Sequence, residues 1–273
     1  MKQDFSFVYF GTPEFSTIVL DELKNAGYKP SLIVTAPDKP IGRKHIITSP
    51  PVKVWADEHS IPCLQPAHPR DIINELQSTD VDLFIVASYG YIMPQSILDI
   101  PKKGVLNVHT SLLPKYRGAS PIESALLNGD IETGSTIMEM VFKMDAGPII
   151  TQSRFDLEPD VTKPELFEML AHDGGKLLAN ILPEYLAGTC TPIEQNHDEA
   201  SYCSKIAKSD GNITNDDDIT RDRKYRAYFG WPGVFCFDED GKRIKVTKAR
   251  YENKKFIIEK IIPEGKKEIT LPN

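Results

Sequence analysis

Short apolar runs alternate with helical stretches over the first two thirds of this 273-residue chain. The run Leu83–Ala87 (LFIVA) carries no polar residue, as expected of a strand buried on both faces of a parallel sheet. The run at residues 5–10 ends at Gly11, and a stretch with one apolar stripe follows it. This alternation predicts an α/β fold with a doubly wound, mostly parallel sheet. Such a fold places its site outside the carboxyl ends of the strands.

A long helical stretch and a change of pattern indicate the domain organisation. Residues 164–186 have the apolar spacing of a helix, and residues 189–204 are weakly periodic and read as a linker. Short β runs separated by turn signals follow at 234–237, 243–246 and 255–262. The sequence therefore predicts an α/β domain over residues 1–188 and a small β domain over residues 205–273.

The charge is unevenly distributed along the chain. The whole sequence has 32 Lys and Arg against 39 Asp and Glu, which argues against a protein that coats nucleic acid over its entire surface. Residues 221–273 nevertheless carry 14 Lys and Arg against 8 Asp and Glu. This basic segment predicts a local contact with a polyanion, although a solvated basic face has the same composition.

Several classes of protein are not expected from this sequence. No run approaches 18 apolar residues, so no membrane span is predicted. The four cysteines form no C-x-x-C pair, which is typical of reduced thiols in a cytoplasmic protein. The histidines lack ligand spacing, so no metal site is predicted.

Asn107 and His109 are the first candidate catalytic residues. They follow an apolar run and are two residues apart, so on a strand both side chains project from one face. An amide and an imidazole side by side can hold a developing oxyanion, and the imidazole can also carry a proton. Two strand-end residues that bond to loop backbone would show the same pattern.

Asp145 is the third candidate. An Asp before Ala-Gly-Pro is most often a turn former. The chain order, however, allows Asp145 to reach the sheet edge that carries His109, where a carboxylate would orient the ring and favour the imidazolium.

These residues belong to a longer pattern that resembles the folate-dependent formyltransferases. Asn107-x-His109 is followed by Ser111-Leu112-Leu113-Pro114-x-Tyr116-Arg117-Gly118, and Asp145 lies where that family has its catalytic aspartate. Within the family, the chain is most similar to the branch that formylates methionyl-tRNA. That resemblance is carried by FGTPEF at 10–15, PIGRK at 40–44, SPPVK at 49–53, GSTIMEM at 134–140 and WPG at 231–233.

The resemblance implies a reaction and roles for named residues. The donor is 10-formyltetrahydrofolate, and the acceptor is the α-amine of methionine on the initiator tRNA. Asn107 and His109 are expected to stabilise the oxyanion, while Asp145 orients His109 and helps to move the proton. The folate site is expected to include Ser111, Leu112, Leu113, Pro114, Tyr89, Ile92 and Met93. No metal is required, since a formyl group on nitrogen is already activated.

The same resemblance implies where tRNA binds. Lys39, Arg43 and Lys44 lie in the loop that contacts tRNA in the family, and the C-terminal β domain, an OB-like barrel there, agrees with the basic segment. Binding through Lys and Arg is expected to depend on salt. The β domain has three or four predicted strands against five for an OB-fold, so a trimmed or open barrel is expected. The enzyme is expected to be a monomer.

Two other functions remain open at this point. A formyltransferase acting on the amine of a nucleotide-linked sugar would share Asn107, His109 and Asp145. Met138, where such enzymes tend to have His, and the basic loop at 39–44 argue against it. A non-catalytic tRNA-binding module is disfavoured because the complete set of three residues is retained.

Overall fold

The computed structural model describes residues 4–42 and 45–272. The α-helices are α1 (Glu14–Asn25), α2 (Pro51–Glu58), α3 (Ile73–Gln77), α4 (Gln95–Leu98), α5 (Pro121–Asn128), α6 (Lys163–Ala187) and α7 (Asp218–Ala227). The strands are β1 (Phe7–Gly11), β2 (Leu32–Val34), β3 (Lys39–Ile41), β4 (Ile46–Thr48), β5 (Cys63–Leu64), β6 (Leu83–Ala87), β7 (Val105–His109), β8 (Arg117–Gly118), β9 (Glu132–Thr133), β10 (Thr136–Glu139), β11 (Ile149–Gln152), β12 (Phe155–Asp156), β13 (Tyr202–Cys203), β14 (Val234–Phe237), β15 (Arg243–Glu252), β16 (Lys255–Pro263) and β17 (Ile269–Thr270). Single 3₁₀ turns lie at Pro69–Ile72, His197–Glu199 and Lys208–Gly211.

The chain folds into two compact units. The first comprises the described residues up to Arg117, together with Gly134–Arg154 and Glu168–Ser201. The second comprises Gly118–Thr133, Phe155–Phe167 and the described residues from Tyr202 onwards. The limits of these two units differ from those of the predicted domains, which assign 118–133 and 155–167 to the α/β domain. The division into a catalytic domain and a small β domain stays a prediction.

A seven-stranded sheet forms the first unit. Its order is β11-β10-β7-β6-β1-β2-β5, in which β7, β6, β1, β2 and β5 run parallel and β10 is antiparallel to both of its neighbours, β7 and β11. Strands β1, β6 and β7 are buried along their whole length, which explains their continuous apolar sequences. The predicted doubly wound, mostly parallel sheet is confirmed. From β1 the chain continues to β2 on one side of the sheet, whereas from β6 it continues to β7 on the other side. The ligand crevice is therefore expected at the carboxyl ends of β1 and β6.

Two side-chain hydrogen bonds link the segment after β1 to the carboxyl end of β6 and the loop that follows it. The Ser16 hydroxyl donates to the Ala87 carbonyl at 2.5 Å, and the Thr12 hydroxyl donates to the Tyr89 carbonyl at 3.1 Å. Gly11 makes this approach possible, because a Cβ there would lie 2.7 Å from the Cβ of Ser16. The start of α1 is thereby attached to the loop that follows β6.

An antiparallel sheet in the order β14-β15-β16-β17 forms the C-terminal part of the second unit. The predicted three or four C-terminal strands are confirmed by this four-stranded sheet, although β15 and β16 are longer than their apolar runs. The two strands pair with each other as a hairpin, in which exposed charged residues interrupt the apolar ones. Hydropathy alone therefore underestimates the length of both strands.

Helix α7 was not predicted, because its sequence DITRDRKYRA is too polar for an apolar stripe. Its N-cap is Asp217, whose carboxylate accepts from the Thr220 N–H at 2.8 Å. An ion pair between Asp222 and Arg226, four residues apart, spans its last turns. The helix packs against α5, β15 and β16 within the second unit. Capping and tertiary contacts, rather than amphipathic periodicity, therefore stabilise it.

None of the helices among the described residues is both long and apolar enough to cross a membrane.

Candidate active site

Asn107 and His109 occupy the carboxyl-terminal end of β7. The strand pleat puts their side chains on one face, and the residues are only 9% and 5% exposed. On the opposite face Val108 packs so tightly against α6 that a Cβ on Gly174 would lie 2.5 Å from it. The predicted position at the sheet edge is therefore occupied by an amide and an imidazole on a buried, rigid strand.

The hydrogen bonding of His109 defines which ring nitrogen carries the proton. Its Nε2 lies 3.0 Å from the Tyr116 carbonyl oxygen. A carbonyl oxygen only accepts, so Nε2 is the donor and the neutral ring holds its lone pair on Nδ1. Nδ1 is therefore the nitrogen at which this histidine gains and loses a proton.

Asp145 is the group that Nδ1 faces. Its Oδ2 lies 3.9 Å from Nδ1 of His109, and the two side chains are 17% and 6% exposed. This separation exceeds a direct hydrogen bond but gives strong attraction once the ring is protonated. The predicted convergence of the carboxylate on the imidazole is present in the structure.

The turn that carries Asp145 is constrained on several sides. Asp145 has a left-handed φ of 48°, which Asp adopts more readily than most residues. Gly147 passes so close to the backbone of β10 that a Cβ there would lie 1.9 Å from the Glu139 carbonyl oxygen. The carbonyls of Asp145 and Gly147 both accept from Gln195 Nε2, at 2.9 and 2.7 Å. The carboxylate is thus presented by a fixed turn.

The loop Ser111-Leu112-Leu113-Pro114 follows β7 directly and is held by β10 and β11. The Thr136 hydroxyl donates to the Ser111 carbonyl at 2.6 Å and lies 3.2 Å from the Leu113 N–H. Gln152 Nε2 donates to the Leu113 carbonyl at 2.9 Å and to Thr136 Oγ1 at 2.8 Å. The predicted folate loop is therefore rigid beside His109.

A second loop at the same edge follows β6. The pairing of Val86 with Asn107 places its first residue, Ser88, level with His109. Tyr89 and Met93 are buried in the hydrophobic core, whereas Ile92 is 72% exposed. The Tyr89 hydroxyl is buried and has no hydrogen-bond partner among the described residues, and burial raises its pKa.

The predicted tRNA-contacting loop forms the hairpin β3–β4. Lys39 is exposed on β3, and the hairpin also exposes Ile41, Ile46 and Ile47. Arg43 and Lys44 lie outside the described residues. The hairpin follows β2, at the same sheet edge as the carboxyl ends of β1, β6 and β7.

Two buried polar residues beside the site were missed as site residues. Arg117 is fully buried and Gln195 is 5% exposed, and they bond to each other. Arg117 lies inside the motif that carries the family resemblance, and its place there is the signal that marks it. Gln195 lies in the segment interpreted as a linker, where no periodicity marks it. Over residues 4–42 and 45–272, no cluster of three or more His, Cys, Asp or Glu could hold a metal ion.

The arrangement is similar to known proteins in sequence and in fold. Residues 5–182 match the family described as formyl transferase. The methionyl-tRNA formyltransferase of Sulfurovum sp. (strain NBC37-1) is 42% identical over 243 residues, which cover 86% of this chain and 79% of that protein.

Two solved structures share the fold at low sequence identity. The N-formyltransferase from Helicobacter canadensis, solved with folinic acid and dTDP-3-aminofucose, has a TM-score of 0.72 and 18% identity and covers 97% of this chain and 98% of its own. The methionyl-tRNA formyltransferase from Clostridium thermocellum has a TM-score of 0.61 and 15% identity, with 95% and 98% covered. Family match and sequence identity together lead to one conclusion: the chain belongs to the formyl transferase family, among the methionyl-tRNA formyltransferases.

Proposed function

We propose that this enzyme transfers the formyl group of 10-formyltetrahydrofolate to the α-amine of methionine on the initiator tRNA, for translation initiation. The observation that carries the proposal is the convergence of Asn107, His109 and Asp145 at one sheet edge, with Asp145 Oδ2 3.9 Å from His109 Nδ1. The sequence identity to methionyl-tRNA formyltransferases supports the choice of acceptor.

The chemistry follows from the protonation of His109. With Nε2 committed to the Tyr116 carbonyl, Nδ1 takes up the proton released when the amine attacks the formyl carbon. The resulting imidazolium is stabilised by Asp145 and returns the proton to the leaving nitrogen. The Asn107 amide N–H would donate to the formyl oxygen, where negative charge develops as the new C–N bond forms and is lost again as the old C–N bond breaks.

The residues at the sheet edge fit a folate donor. When bound, 10-formyltetrahydrofolate would supply a formyl group activated by its attachment to nitrogen. A pterin ring needs apolar walls and a few convergent polar groups. On the loop after β6, the exposed Ile92 offers apolar surface, and the buried Tyr89 hydroxyl is a polar group without a hydrogen-bond partner among the described residues. We propose that the donor is held by Ser111, Leu112, Leu113, Pro114, Tyr89, Ile92 and Met93.

The tRNA is proposed to bind through positive charge on two segments. Lys39 is exposed on the β3–β4 hairpin, and Arg43 and Lys44 follow it in sequence. The basic residues 221–273 form the second segment, so residues 205–273 are proposed as a tRNA-binding domain and residues 1–188 as the catalytic domain. Both segments would contact phosphates, which makes affinity depend on salt. We also propose that the enzyme acts in the cytoplasm as a monomer.

The acceptor is tested by comparing two substrates in separate assays. The enzyme is supplied with 10-formyltetrahydrofolate and either charged initiator tRNA or a dTDP-linked amino sugar, and formylated product is measured. Formylation of the tRNA is expected. Formylation of the sugar alone would refute the proposed acceptor.

The division of roles is tested with two substitutions. His109→Ala is expected to lower kcat by about 100- to 1000-fold and to leave tRNA affinity within about threefold. His68→Ala, at an exposed position, is the control for this substitution.

Lys39→Ala is expected to raise the KM for tRNA a few-fold and to flatten its salt dependence, with Lys176→Ala on α6 as the control. Loss of tRNA binding in the His109 variant would contradict the assignment.

A further inference from the structure

A series of buried hydrogen bonds links the side chain of Arg117 to the turn that carries Asp145. Arg117 Nε and Nη2 donate to Oε1, the side-chain amide oxygen of Gln195, at 3.0 and 2.6 Å. Gln195 Nε2 in turn donates to the carbonyls of Asp145 at 2.9 Å and Gly147 at 2.7 Å. All four residues belong to the first unit.

The guanidinium determines which way the Gln195 amide faces. A guanidinium only donates, so the amide oxygen points to Arg117 and the amide nitrogen points to the two carbonyls. The reverse orientation would lose all four hydrogen bonds. Arg117 Nη2 also donates to Nδ1 of His197 at 2.9 Å, which leaves the guanidinium little freedom to turn. The amide is therefore a fixed donor rather than an adaptable one.

Both partners of His109 are held in place, one beside Arg117 and one by Gln195. Tyr116, whose carbonyl holds Nε2, directly precedes Arg117, and the N–H groups of Tyr116 and Arg117 donate to the Ser201 hydroxyl and carbonyl at 2.9 Å each. Asp145, which faces Nδ1, has its left-handed backbone held through Gln195. A backbone in that region persists only where its surroundings hold it.

We infer that Gln195, held by Arg117, is a positioning residue that sets the place of Asp145 relative to His109. Gln195 lies too deep behind the turn carbonyls to be counted among the reacting groups; it acts through the backbone of Asp145. The inference rests on the proposed roles of His109 and Asp145. A purely structural role for the same hydrogen bonds would lower stability without singling out the contribution of Asp145.

A double-mutant cycle with Asp145 separates the two roles. Gln195→Ala is expected to lower kcat by about 10- to 100-fold while both KM values stay within about threefold. In an Asp145→Asn background the same substitution is expected to cost less than about threefold, because the group it positions no longer contributes. Equal losses in both backgrounds, or a change confined to KM, would overturn the inference.

A second variant guards against loss of the fold. Gln195→Glu keeps the volume and the contact with Arg117 but cannot donate to the two carbonyls, so it is expected to lose kcat as Gln195→Ala does. Full activity in a folded Gln195→Glu protein, checked by Tm, would also overturn the inference. Glu194→Ala, at the exposed neighbouring position, is the matched control.

The cycle is measured with whichever acceptor the wild-type enzyme formylates, methionyl-tRNA or amino sugar. Failure of the proposed acceptor then appears in the wild-type enzyme, whereas failure of the positioning role appears only as additivity among the variants.

Discussion

Replacing Asp145 by Asn removes one charge from the site and leaves its backbone carbonyl available to Gln195. The lost interaction is the attraction between the carboxylate and the imidazolium that forms during transfer. At the observed separation of 3.9 Å, this attraction is about 4 kcal/mol at an effective dielectric of about 20, and about 1 kcal/mol in bulk water. Those values correspond to losses in rate of about 10³-fold and about fivefold, respectively.

The burial of the pair decides between the two values. The side chains of His109 and Asp145 are 6% and 17% exposed, so water screens them poorly and the larger loss is expected. Both KM values should change by less than about threefold, because the imidazolium is absent before the amine attacks.

The measurement is a single-turnover formylation with enzyme in excess over methionyl-tRNA, followed by quenching at fixed times. Asp160→Asn, an exposed aspartate outside the site, is the matched control and should react at the wild-type rate. A loss below about tenfold for Asp145→Asn would show that the carboxylate does not stabilise charge on His109. The electrostatic reasoning would then be wrong.

Two further substitutions test the supports of the fold and site. Thr136→Val removes the hydroxyl that bonds Ser111 and Leu113, so the free energy of unfolding should fall by about 1–3 kcal/mol, and the KM for folate should rise several-fold, as urea denaturation and initial rates would show. An unchanged KM for folate would show that the Ser111–Pro114 loop does not contribute to binding the donor. In Asp217, the hydrogen bond from Thr220 lowers the pKa of the carboxyl. Its ionised form therefore stabilises the protein above about pH 4, and the contribution is lost as pH falls through the lowered pKa. The urea midpoints of wild type and Asp217→Asn should differ at pH 6 and converge as the pH falls below the lowered pKa of Asp217; a constant difference would contradict this.

The part of the fold that could be predicted is the part in which local pattern and burial coincide. Strands β6 and β7 are covered on both faces, so their apolar runs appear directly in the sequence. Asn107 and His109 were found for the same reason, since a strand period of two relates them locally. For Asp145 the chain order allowed a place at the same sheet edge and the family resemblance supported it, because no local rule links it to a strand 36 residues earlier.

The features that were missed depend on contacts between distant parts of the chain. Helix α7 is stabilised by its cap and by packing on α5, and neither leaves an apolar stripe. Gln195 is buried because Arg117 and Asp145, 78 and 50 residues away, supply its hydrogen-bond partners. A polar residue in a weakly periodic segment shows no sign of such partners until the chain is folded.

The discontinuous second unit has a consequence during synthesis. Helix α5 packs against α7, which is made about 90 residues later. At about 5–20 residues per second, a nascent chain waits roughly 5–18 seconds for that partner. Throughout this interval α5 lacks the surface that covers it in the finished protein. Translation speed across the intervening stretch, and any chaperone that shields it, therefore influence how much chain reaches the native state.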